Sequence, residues 1–397
     1  DRPGYGAATL TTTYSYNTVG QLIKTQLSGF SPAPSASVYE YNELGEQYRS
    51  GVDINDNGVL DLDGSDRISE TVSSYTSDAS TNYWLVSASV IYPQNGSATA
   101  VTNSIMRQRL TGLGSASGYG VLASEQVSVD IFGNQTGSRT YIDRDEKNVT
   151  QVADYPDSTN DAVSVSVNGF VVSSESKSGI KQEFAYDGLG RRISITDQRT
   201  GASLTHYNEK GQVDWTEDAA SNRTSYGYSA DTGRRISVTD ALSNTVYTAY
   251  SVEGQVVGTW GATYPVLYEY DAYDRMTAMY TYRGTNSISS YSEICNLKSE
   301  MDRTAWLYDQ ATGVLTNKLY ADGKGTGYTY TPDGKLASRI WARGITTTYS
   351  YTNTTGEMMG IDYSDSTPDV AFSFDRLGRQ VQITDGQGIR TFAYGLY

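Results

Sequence analysis

A tandem repeat constrains this chain more than any other feature of its sequence. The clearest copies run from Phe184 to Tyr250, and their second aromatic residues fall at Tyr186, Tyr207, Tyr228 and Tyr250. The spacings between those tyrosines are 21, 21 and 22 residues. A fixed period of this length indicates one short supersecondary unit that is stacked many times, because a single unit cannot bury its own apolar face.

Each copy reads as a β-hairpin. In the first clear copy, Phe184 and Tyr186 are two residues apart, so both side chains point to the same face of a strand. Asp187 can open a turn by accepting backbone N–H groups, and Gly190 provides a positive φ at low cost. Alternation resumes after Arg191, which predicts strand, four- or five-residue turn, strand. Stacked hairpins would place the aromatic rings in ladders, where each cross-strand pair contributes roughly 0.2–1 kcal/mol.

Copies of the motif extend over most of the chain. Clear repeats occupy residues 14–50 and 184–397, whereas residues 51–183 are degenerate or carry an insertion. Strand-like alternation continues there at 83–92 and 162–173, which favours further hairpins over a new domain. We therefore predict an all-β chain, with a single repeat domain over residues 1–397 whose hairpins form a spiralling sheet.

Three local features of the repeat region carry expectations of their own. Asp274 stands where Gly is usual, and Asp tolerates the left-handed conformation better than most residues. One degenerate copy is expected between Tyr280 and Tyr291. Helix signals are scarce, and residues 296–303 form the most tolerant candidate.

The motif resembles the YD repeat of bacterial Rhs proteins, insecticidal toxin-complex shell components and the animal teneurins. The residues that carry the resemblance are Phe184-Ala-Tyr186-Asp187-Gly-Leu-Gly190-Arg191, with Thr196-Asp197 following. The resemblance implies a β-sheet spiral that winds into part or all of a hollow shell, with a role in encapsulation or surface display. It also implies the partners: further repeats or domains of a longer chain, an enclosed toxin or effector segment, or a cell-surface receptor or glycan.

Composition favours such a sheet over a conventional globule. The chain has 34 Tyr but 7 Phe, and 38% of its residues are hydrophobic. Tyrosine buries a ring but keeps a hydroxyl that needs a partner or water, so a curved sheet with a polar face suits it. Two units of 21 residues would also fit one β-propeller blade of roughly 40–45 residues. The same motif recurs in every copy, however, which favours a continuous sheet.

Charge and hydropathy limit the partners and the location. A formal net charge of -15 argues against nucleic acid, because phosphate binding needs a basic stripe. No apolar run approaches the roughly 18–20 residues of a membrane span. Residue 1 is Asp and no charged-then-apolar leader follows, which indicates a mature product or part of a longer chain. With the resemblance, these features predict a secreted or cell-surface protein.

The sequence favours a non-enzymatic role. The chain has a single histidine, His206, which sits in the first aromatic slot of a repeat and is interpreted as structural. Its single cysteine, Cys295, is expected to be a buried, inert thiol, so no Cys/His pair or zinc site is predicted. The Thr-Asp pairs at 196–197, 239–240 and 384–385 recur at one repeat phase, as turn residues do, whereas a catalytic constellation occurs once.

Arginine pairs also recur in the second strand of the hairpins. They stand at 191–192 and 234–235, where cross-strand pairing with acidic residues is the expected role.

An acidic loop is the sharpest feature outside the repeat. Residues 53–66 place oxygen ligands at positions 1, 3 and 5 of a calcium loop, Gly58 at position 6 and an acid at position 9. Position 12 is Gly64, so closure would fall to Asp63 or Asp66. A structural Ca²⁺ that stiffens the loop and an acidic turn chosen for its backbone shape both remain open. The candidate metal ligands are Asp53, Asn55, Asn57, the Val59 carbonyl, Asp61 and Asp66.

Two functions therefore remain open. The first is a non-enzymatic shell segment that surrounds or presents another polypeptide. The second is an extracellular adhesion or carbohydrate-binding surface in which exposed tyrosines stack on sugars.

Overall fold

The chain is almost entirely β. A computed structural model describes residues 1–284 and 288–395. Helical structure in these residues is confined to α1 (Tyr291–Asn296) and two 3-10 turns (Tyr5–Ala7 and Lys298–Glu300). Each of these is far too short to cross a bilayer.

The strands are numbered in chain order. The first eleven are β1 Arg2–Pro3, β2 Thr9–Tyr16, β3 Leu22–Ser28, β4 Ala36–Tyr41, β5 Gln47–Asp53, β6 Arg67–Ser77, β7 Tyr83–Ile91, β8 Val101–Arg109, β9 Ala116–Ser117, β10 Gly120–Val129 and β11 Gln135–Asp143. The next eleven are β12 Asn148–Asp154, β13 Ala162–Val167, β14 Phe170–Glu175, β15 Lys181–Tyr186, β16 Arg192–Asp197, β17 Gly201–Tyr207, β18 Val213–Glu217, β19 Arg223–Tyr228, β20 Arg235–Thr239, β21 Thr245–Tyr250 and β22 Val256–Gly261. The last eleven are β23 Val266–Tyr270, β24 Met276–Thr281, β25 Asp302–Tyr308, β26 Leu315–Leu319, β27 Gly325–Tyr330, β28 Leu336–Ile340, β29 Thr346–Tyr351, β30 Met358–Tyr363, β31 Val370–Phe374, β32 Gln380–Asp385 and β33 Gly388–Thr391.

The topology is a continuous antiparallel meander. From β1 to β33 each strand pairs with the next in sequence, except that β8 pairs directly with β10 and the short β9 adds to the end of β10. Residues 51–183, where the motif is degenerate, continue the same sheet. The prediction of an all-β sheet of tandem hairpins is confirmed, and a propeller of separate blades is excluded.

Each motif hairpin has a tight turn and a register shift. In the copy at 184–195, the Asp187 Oδ1 accepts N–H groups from Leu189 and Arg191, and Gly190 has a φ of 77°. The pairing slips by one residue next to Tyr186, and the same slip recurs beside the second aromatic residue of the other clear copies. Asp274 has a φ of 64°, so the turn that lacks Gly keeps its shape as predicted.

The ribbon of strands has two long edges. One, here called the motif edge, carries the turns that follow the second aromatic residue, such as 187–191 and 375–379. The other, the connection edge, carries the alternate connections, such as 54–66 and 92–100. The turn from Asp130 to Gly133 has the spacing of the motif but lies on the connection edge. The motif there is shifted by one strand relative to the clear copies, and successive turns alternate between the two edges, so this turn falls on the opposite edge.

The ribbon winds back on itself. The backbone N–H of Tyr5 donates to the Pro332 carbonyl at 3.2 Å, and that of Ser35 donates to the Thr354 carbonyl at 2.9 Å. These bonds join the connection edge of β1–β8 to the motif edge of β27–β32. The ribbon therefore completes one revolution as an open spiral, and the line of contact is called the seam below.

Apolar burial is local. Two of the three buried clusters lie where an inserted segment covers the sheet: Ile294 of α1 packs with Trp260 and Tyr280, and Leu60 of the acidic loop packs with Val38 and Tyr92. A third small cluster lies around Leu122, Tyr141 and Val152. The rest of the sheet has partly exposed faces, as the tyrosine-rich composition suggests.

The segment between β24 and β25 differs from expectation. The helix occupies Tyr291–Asn296, before the predicted 296–303. The degenerate hairpin predicted between Tyr280 and Tyr291 falls partly on residues 285–287, which lie outside the described residues. In the described part, β24 pairs directly with β25 without an additional hairpin. Cys295 is exposed, so the prediction of a buried thiol was wrong: the phase of the helix gives the buried position to Ile294.

Candidate functional site

The acidic loop 53–66 lies at the seam, between β5 and β6 on the connection edge. Its Leu60 side chain packs on the sheet face, and its backbone meets the turn at 375–379 on the far side of the seam. The loop therefore joins two strands that are adjacent in sequence and also bridges two stretches of ribbon about 310 residues apart.

Two fully buried carboxylates organise the loop. The Asp53 oxygens accept N–H groups from Asn57 at 3.2 Å and Gly58 at 2.7 Å. The Asp66 oxygens accept N–H groups from Ile54 at 2.7 Å and Asp61 at 2.8 Å. Buried carboxylates are retained only where such donors replace water. Each end of the loop is thus tied to its middle.

The remaining predicted ligands lie on the exposed side of the loop. The amide groups of Asn55 and Asn57 donate to Asp61 Oδ2 at 2.8 and 2.7 Å, so these three side chains converge. The Val59 N–H donates to Asn57 Oδ1 at 3.0 Å. Among the described residues no cluster of three or more His, Cys, Asp or Glu side chains has metal-binding geometry. A cation here would therefore depend on the amide and carbonyl oxygens beside Asp53 and Asp61.

Arg376 closes the seam. It is 4% exposed, and its guanidinium donates to five backbone carbonyls. Nε reaches the Asp66 carbonyl at 2.7 Å, and Nη2 reaches the Asp61 carbonyl at 3.1 Å. The other three acceptors, all bound by Nη1, are the carbonyls of Leu62, Gln94 and Ser97. One side chain thus holds two connections near the start of the ribbon against a turn near its end.

The electrostatics of Arg376 follow from this environment. Burial lowers the pKa of its guanidinium from the usual value, and the nearby carboxylates of Asp66 and Asp63 oppose that shift. Carbonyl oxygens satisfy its N–H donors, which offsets much of the cost of burying the charge.

A second side chain that bridges the seam lies beside Arg376. Arg67 forms an ion pair with Glu357, which also accepts a hydrogen bond from Thr355. Burial acts to raise the pKa of the Glu357 carboxyl, but the hydrogen bonds from Arg67 and Thr355 outweigh it, so the pKa is lowered overall. Between this pair and Arg376 an open cavity of about 320 Å³ is lined by side chains from both sides of the seam, including Phe374.

The tyrosines of the motif form a hydrogen-bonded ladder. In ten copies within the described residues, the hydroxyl of the second tyrosine donates to a backbone carbonyl of the preceding hairpin, at distances of 2.7–3.1 Å. The pairs in the described residues are Tyr41 to Leu22, Tyr186 to Val171, Tyr207 to Arg192, Tyr228 to Val213, Tyr250 to Arg235, Tyr270 to Val256, Tyr308 to Met276, Tyr330 to Leu315, Tyr351 to Leu336 and Tyr394 to Gln380.

The ladder is interrupted at Phe374. This residue fills the second aromatic slot but has no hydroxyl. In the neighbouring copies, the accepting carbonyl belongs to the residue that pairs with the second tyrosine of the preceding copy. For example, Leu336 pairs with Tyr330, and its carbonyl accepts the hydrogen bond from the Tyr351 hydroxyl. The corresponding acceptor for residue 374 is the Met358 carbonyl, because Met358 pairs with Tyr351. The interruption borders the cavity at the seam.

Basic residues link successive copies in another way. The Arg191 guanidinium lies 4.5 Å from the centre of the Tyr207 ring and also bonds Asp187 of its own turn. Arg275 and Arg379 repeat this arrangement over Tyr308 and Tyr394. Cation–π contacts of this kind contribute about 0.5–1 kcal/mol at exposed sites.

The pairing with acidic residues expected for the arginine pairs is found for Arg191, whose partner is Asp187 of its own turn, but the other three arginines make different contacts. Arg192 lies over the Phe184 ring and Arg235 over the Tyr226 ring. Arg234 bonds the carbonyls of Ser251 and Val252 in the next turn.

The other residues considered for chemistry serve the hairpins. His206 stacks on Trp215 with ring centres 5.2 Å apart, and its Nδ1 lies 3.2 Å from the Asp214 carboxylate. Asp240 accepts N–H groups from Leu242 and Asn244, as a turn residue does. Hydrogen bonds from the Asn244 side chain and backbone lower the pKa of the Asp240 carboxyl.

Comparisons with known proteins bear on this architecture. No protein-family model matches the chain, and no curated protein matches it. Among solved structures, TcdB2-TccC3-TEV superposes on 96% of this chain with a TM-score of 0.54 and 14% sequence identity.

The chain shares its fold with TcdB2-TccC3-TEV.

That structure is of the toxin-complex Rhs/YD shell type, so the resemblance read from the repeats is confirmed for the fold. This chain spans 21% of the length of the TcdB2-TccC3-TEV chain. TcdB2-TccC3-Cdc42 aligns over 95% of this chain, at 11% identity and a TM-score of 0.37.

Proposed function

We propose that this chain is a segment of a non-enzymatic Rhs/YD-repeat shell, which encloses or presents an associated toxin or effector polypeptide. The observation that carries the proposal is the seam: the connection edge of β1–β8 rests on the motif edge of β27–β32. A ribbon that returns to its own edge can form a wall around an interior. A flat sheet of the same hairpins could not.

The chemistry of the ribbon supports a wall rather than a reaction centre. Its recurrent carboxylates accept backbone N–H groups in turns, as Asp187 and Asp271 do. Its recurrent tyrosine hydroxyls are engaged with backbone carbonyls, as in Tyr228. A catalytic site would need a unique convergent set of groups, and repetition works against one.

The partners and location follow from this role. We propose that further repeats or domains of a longer chain, and an enclosed toxin or effector segment, are the partners, and that the protein is secreted or on the cell surface. A toxin-complex shell fold and a ribbon of polar faces both support this location.

Electron microscopy and protease protection test the proposal. Negative-stain images of the purified chain should show a ring or spiral wall with an open interior. A guest polypeptide fused after Tyr397 should be cut more slowly by a protease than the same guest fused to an unrelated β-protein. A compact particle without an interior, or equal cleavage of the two fusions, would contradict the proposal.

A carbohydrate-binding surface is the second candidate. Tyr14, Tyr16, Tyr75 and Tyr83 are exposed on strands near the start of the ribbon. Exposed aromatic rings can stack on the apolar face of a sugar ring. Binding to a glycan array that is lost in the Tyr14→Ser/Tyr75→Ser variant would favour this function over the shell.

We propose further that the acidic loop binds a structural Ca²⁺ through Asp53, Asn55, Asn57, the Val59 carbonyl, Asp61 and Asp66. The convergence of Asn55 and Asn57 on Asp61 supports this proposal, since the three side chains meet at one point on the exposed side of the loop. Titration calorimetry with CaCl₂ should show one site that is lost in Asp61→Ala. Asp56→Ala is the matched control, because Asp56 lies in the same loop outside the predicted ligand set. Equal heats from both variants would contradict the proposal.

A further inference from the structure

The cavity at the seam has the size of a small-ligand site. Its volume of about 320 Å³ lies at the lower end of the roughly 300–1,000 Å³ that such sites occupy. Its walls come mainly from four segments: the acidic loop and the connection after β7 on one side of the seam, and the turn between β29 and β30 and strand β31 on the other. A ligand in this cavity would therefore touch both ends of the ribbon at once.

The charged groups around the cavity are already paired. Arg67 is bound to Glu357, and the Arg376 guanidinium is bound to five backbone carbonyls. The Asp375 carboxylate accepts hydrogen bonds from Arg379 and from the backbone of its own turn. A charged ligand would have to break one of these contacts to find a partner, so the cavity favours a neutral ligand.

Polar side chains that have no protein partner line both walls. Ser65 and Asn95 lie on the first wall, and Thr354 lies on the second. Within the part of the chain that the structure describes, the side chains of these three residues make no hydrogen bond to another protein group. A hydroxyl and an amide can each donate and accept, so these groups suit a ligand that carries hydroxyls of its own.

Aromatic rings supply the apolar part of the lining. Phe372 and Phe374 are two residues apart on β31, so their rings lie on one face of the strand. Phe374 also lacks the hydroxyl that completes the ladder in other copies, which leaves room beside its ring. The cavity thus combines an aromatic surface with hydroxyl and amide groups.

We propose that the seam cavity binds one neutral sugar unit, either free or at the end of a glycan. The phenylalanine rings stack on the apolar face of the sugar, and Ser65, Asn95 and Thr354 bond its hydroxyls. Because the sugar contacts both walls, it binds the closed seam and stabilises it by linkage. This inference goes beyond the proposed shell function and concerns a different place from the exposed tyrosines at the start of the ribbon, so each can fail without the others.

Titration calorimetry with glucose, galactose, mannose and N-acetylglucosamine, each also as its methyl glycoside, tests the proposal. At least one of them should bind at a single site. Asn95→Ala on the first wall and Thr354→Val on the second should each weaken that binding by about tenfold or more. Asn353→Ala, in the same turn as Thr354 but outside the cavity, is the matched control and should bind like the wild type. Equal binding of the methyl glycoside would identify the end of a glycan as the ligand, and selective binding of the free sugar would identify a soluble sugar.

The link to the seam has a readout of its own. The sugar that binds should slow protease cleavage of the loop 53–66, and Arg376→Gln should weaken its binding because the two walls separate. An unchanged cleavage rate would place the sugar on one wall only and overturn the proposal.

Three further results would also overturn it. They are a panel in which no sugar binds, binding that Asn95→Ala and Thr354→Val leave unchanged, and binding that is lost in Tyr14→Ser/Tyr75→Ser instead. Thermal unfolding midpoints of the unliganded variants, matched to the wild type, show that loss of binding is not loss of the fold.

Discussion

The hydroxyl of Tyr228 donates a 2.7 Å hydrogen bond to the carbonyl oxygen of Val213 in the preceding hairpin. The same bond recurs from copy to copy, so each hairpin is joined to the one before it by more than its strand pairing. This explains why tyrosine rather than phenylalanine dominates the motif: the ring packs between hairpins, and the hydroxyl satisfies a carbonyl that the shifted register leaves available.

Removal of this hydroxyl should weaken the junction between two copies. Tyr228→Phe is expected to lower the free energy of unfolding by about 1 kcal/mol, the usual net value of one such hydrogen bond. Urea denaturation followed by tryptophan fluorescence measures the change. Tyr14→Phe, at an exposed ring before the first junction, is the control and should leave the midpoint where it was.

The reverse substitution should repair the ladder at the seam. Phe374→Tyr places a hydroxyl beside the Met358 carbonyl, in a cavity with room for it, and is expected to raise the free energy of unfolding by roughly 0.5–1.5 kcal/mol. Phe372→Tyr, in the first aromatic slot of the same copy, has no equivalent acceptor in the ladder and serves as the comparison. Destabilisation by Phe374→Tyr alone would mean that the cavity cannot accommodate the hydroxyl.

Arg376 should decide whether the revolution stays closed. Arg376→Gln removes most donors to five carbonyls and is expected to cost on the order of 3 kcal/mol in closing the seam. Small-angle scattering should report a larger radius of gyration, and a protease should cut the loop 53–66 faster. Arg379→Gln, whose partners are Asp375 and the Tyr394 ring, should leave both readouts unchanged. Equal behaviour of the two variants would show that the seam does not depend on Arg376.

The turn at Asp78 should respond to acid. Hydrogen bonds from the Asn82 side chain and backbone lower the pKa of the Asp78 carboxyl from 3.8 to about 2. Because the folded-state pKa is the lower one, the stabilising contribution is complete above pH 3.8 and is lost as the pH falls toward about 2.

Hydrogen-exchange protection factors across the β6–β7 turn should therefore fall over that window. In Asp78→Asn, which keeps an acceptor but cannot titrate there, they should vary less. A wild-type profile that is flat across the window would contradict the assignment.

Local features of this fold could be read from the sequence, because they depend on residues close together in the chain. The spacing of Tyr186, Asp187 and Gly190 predicts a hairpin, and the hairpin is present. The helix could have been placed better, since Ser290 and Glu293 have the spacing of a helix cap: the Ser290 Oγ accepts the Glu293 N–H at 3.3 Å. With that start, the exposed position of Cys295 follows from the helical phase.

The seam could not be read in the same way. Arg376 binds carbonyl oxygens of residues such as Leu62 and Gln94, and a carbonyl is common to every residue, so the sequence carries no mark of the pairing. The partners also depend on how many strands make a revolution, which follows from twist and curvature accumulated over the whole ribbon. The acceptors of the tyrosine hydroxyls were missed because the recurrent register shift determines them.

The sequential pairing of strands has a consequence for the order of assembly. Each hairpin finds its neighbour as soon as it leaves the ribosome, so the sheet can grow steadily from the amino terminus. The carbonyls that receive Arg376 belong to residues 61–97, which are translated long before it. They must remain solvated until Arg376, which lies 279 to 315 residues further along the chain, has emerged, so the seam closes well after the strands beside its acceptors have paired.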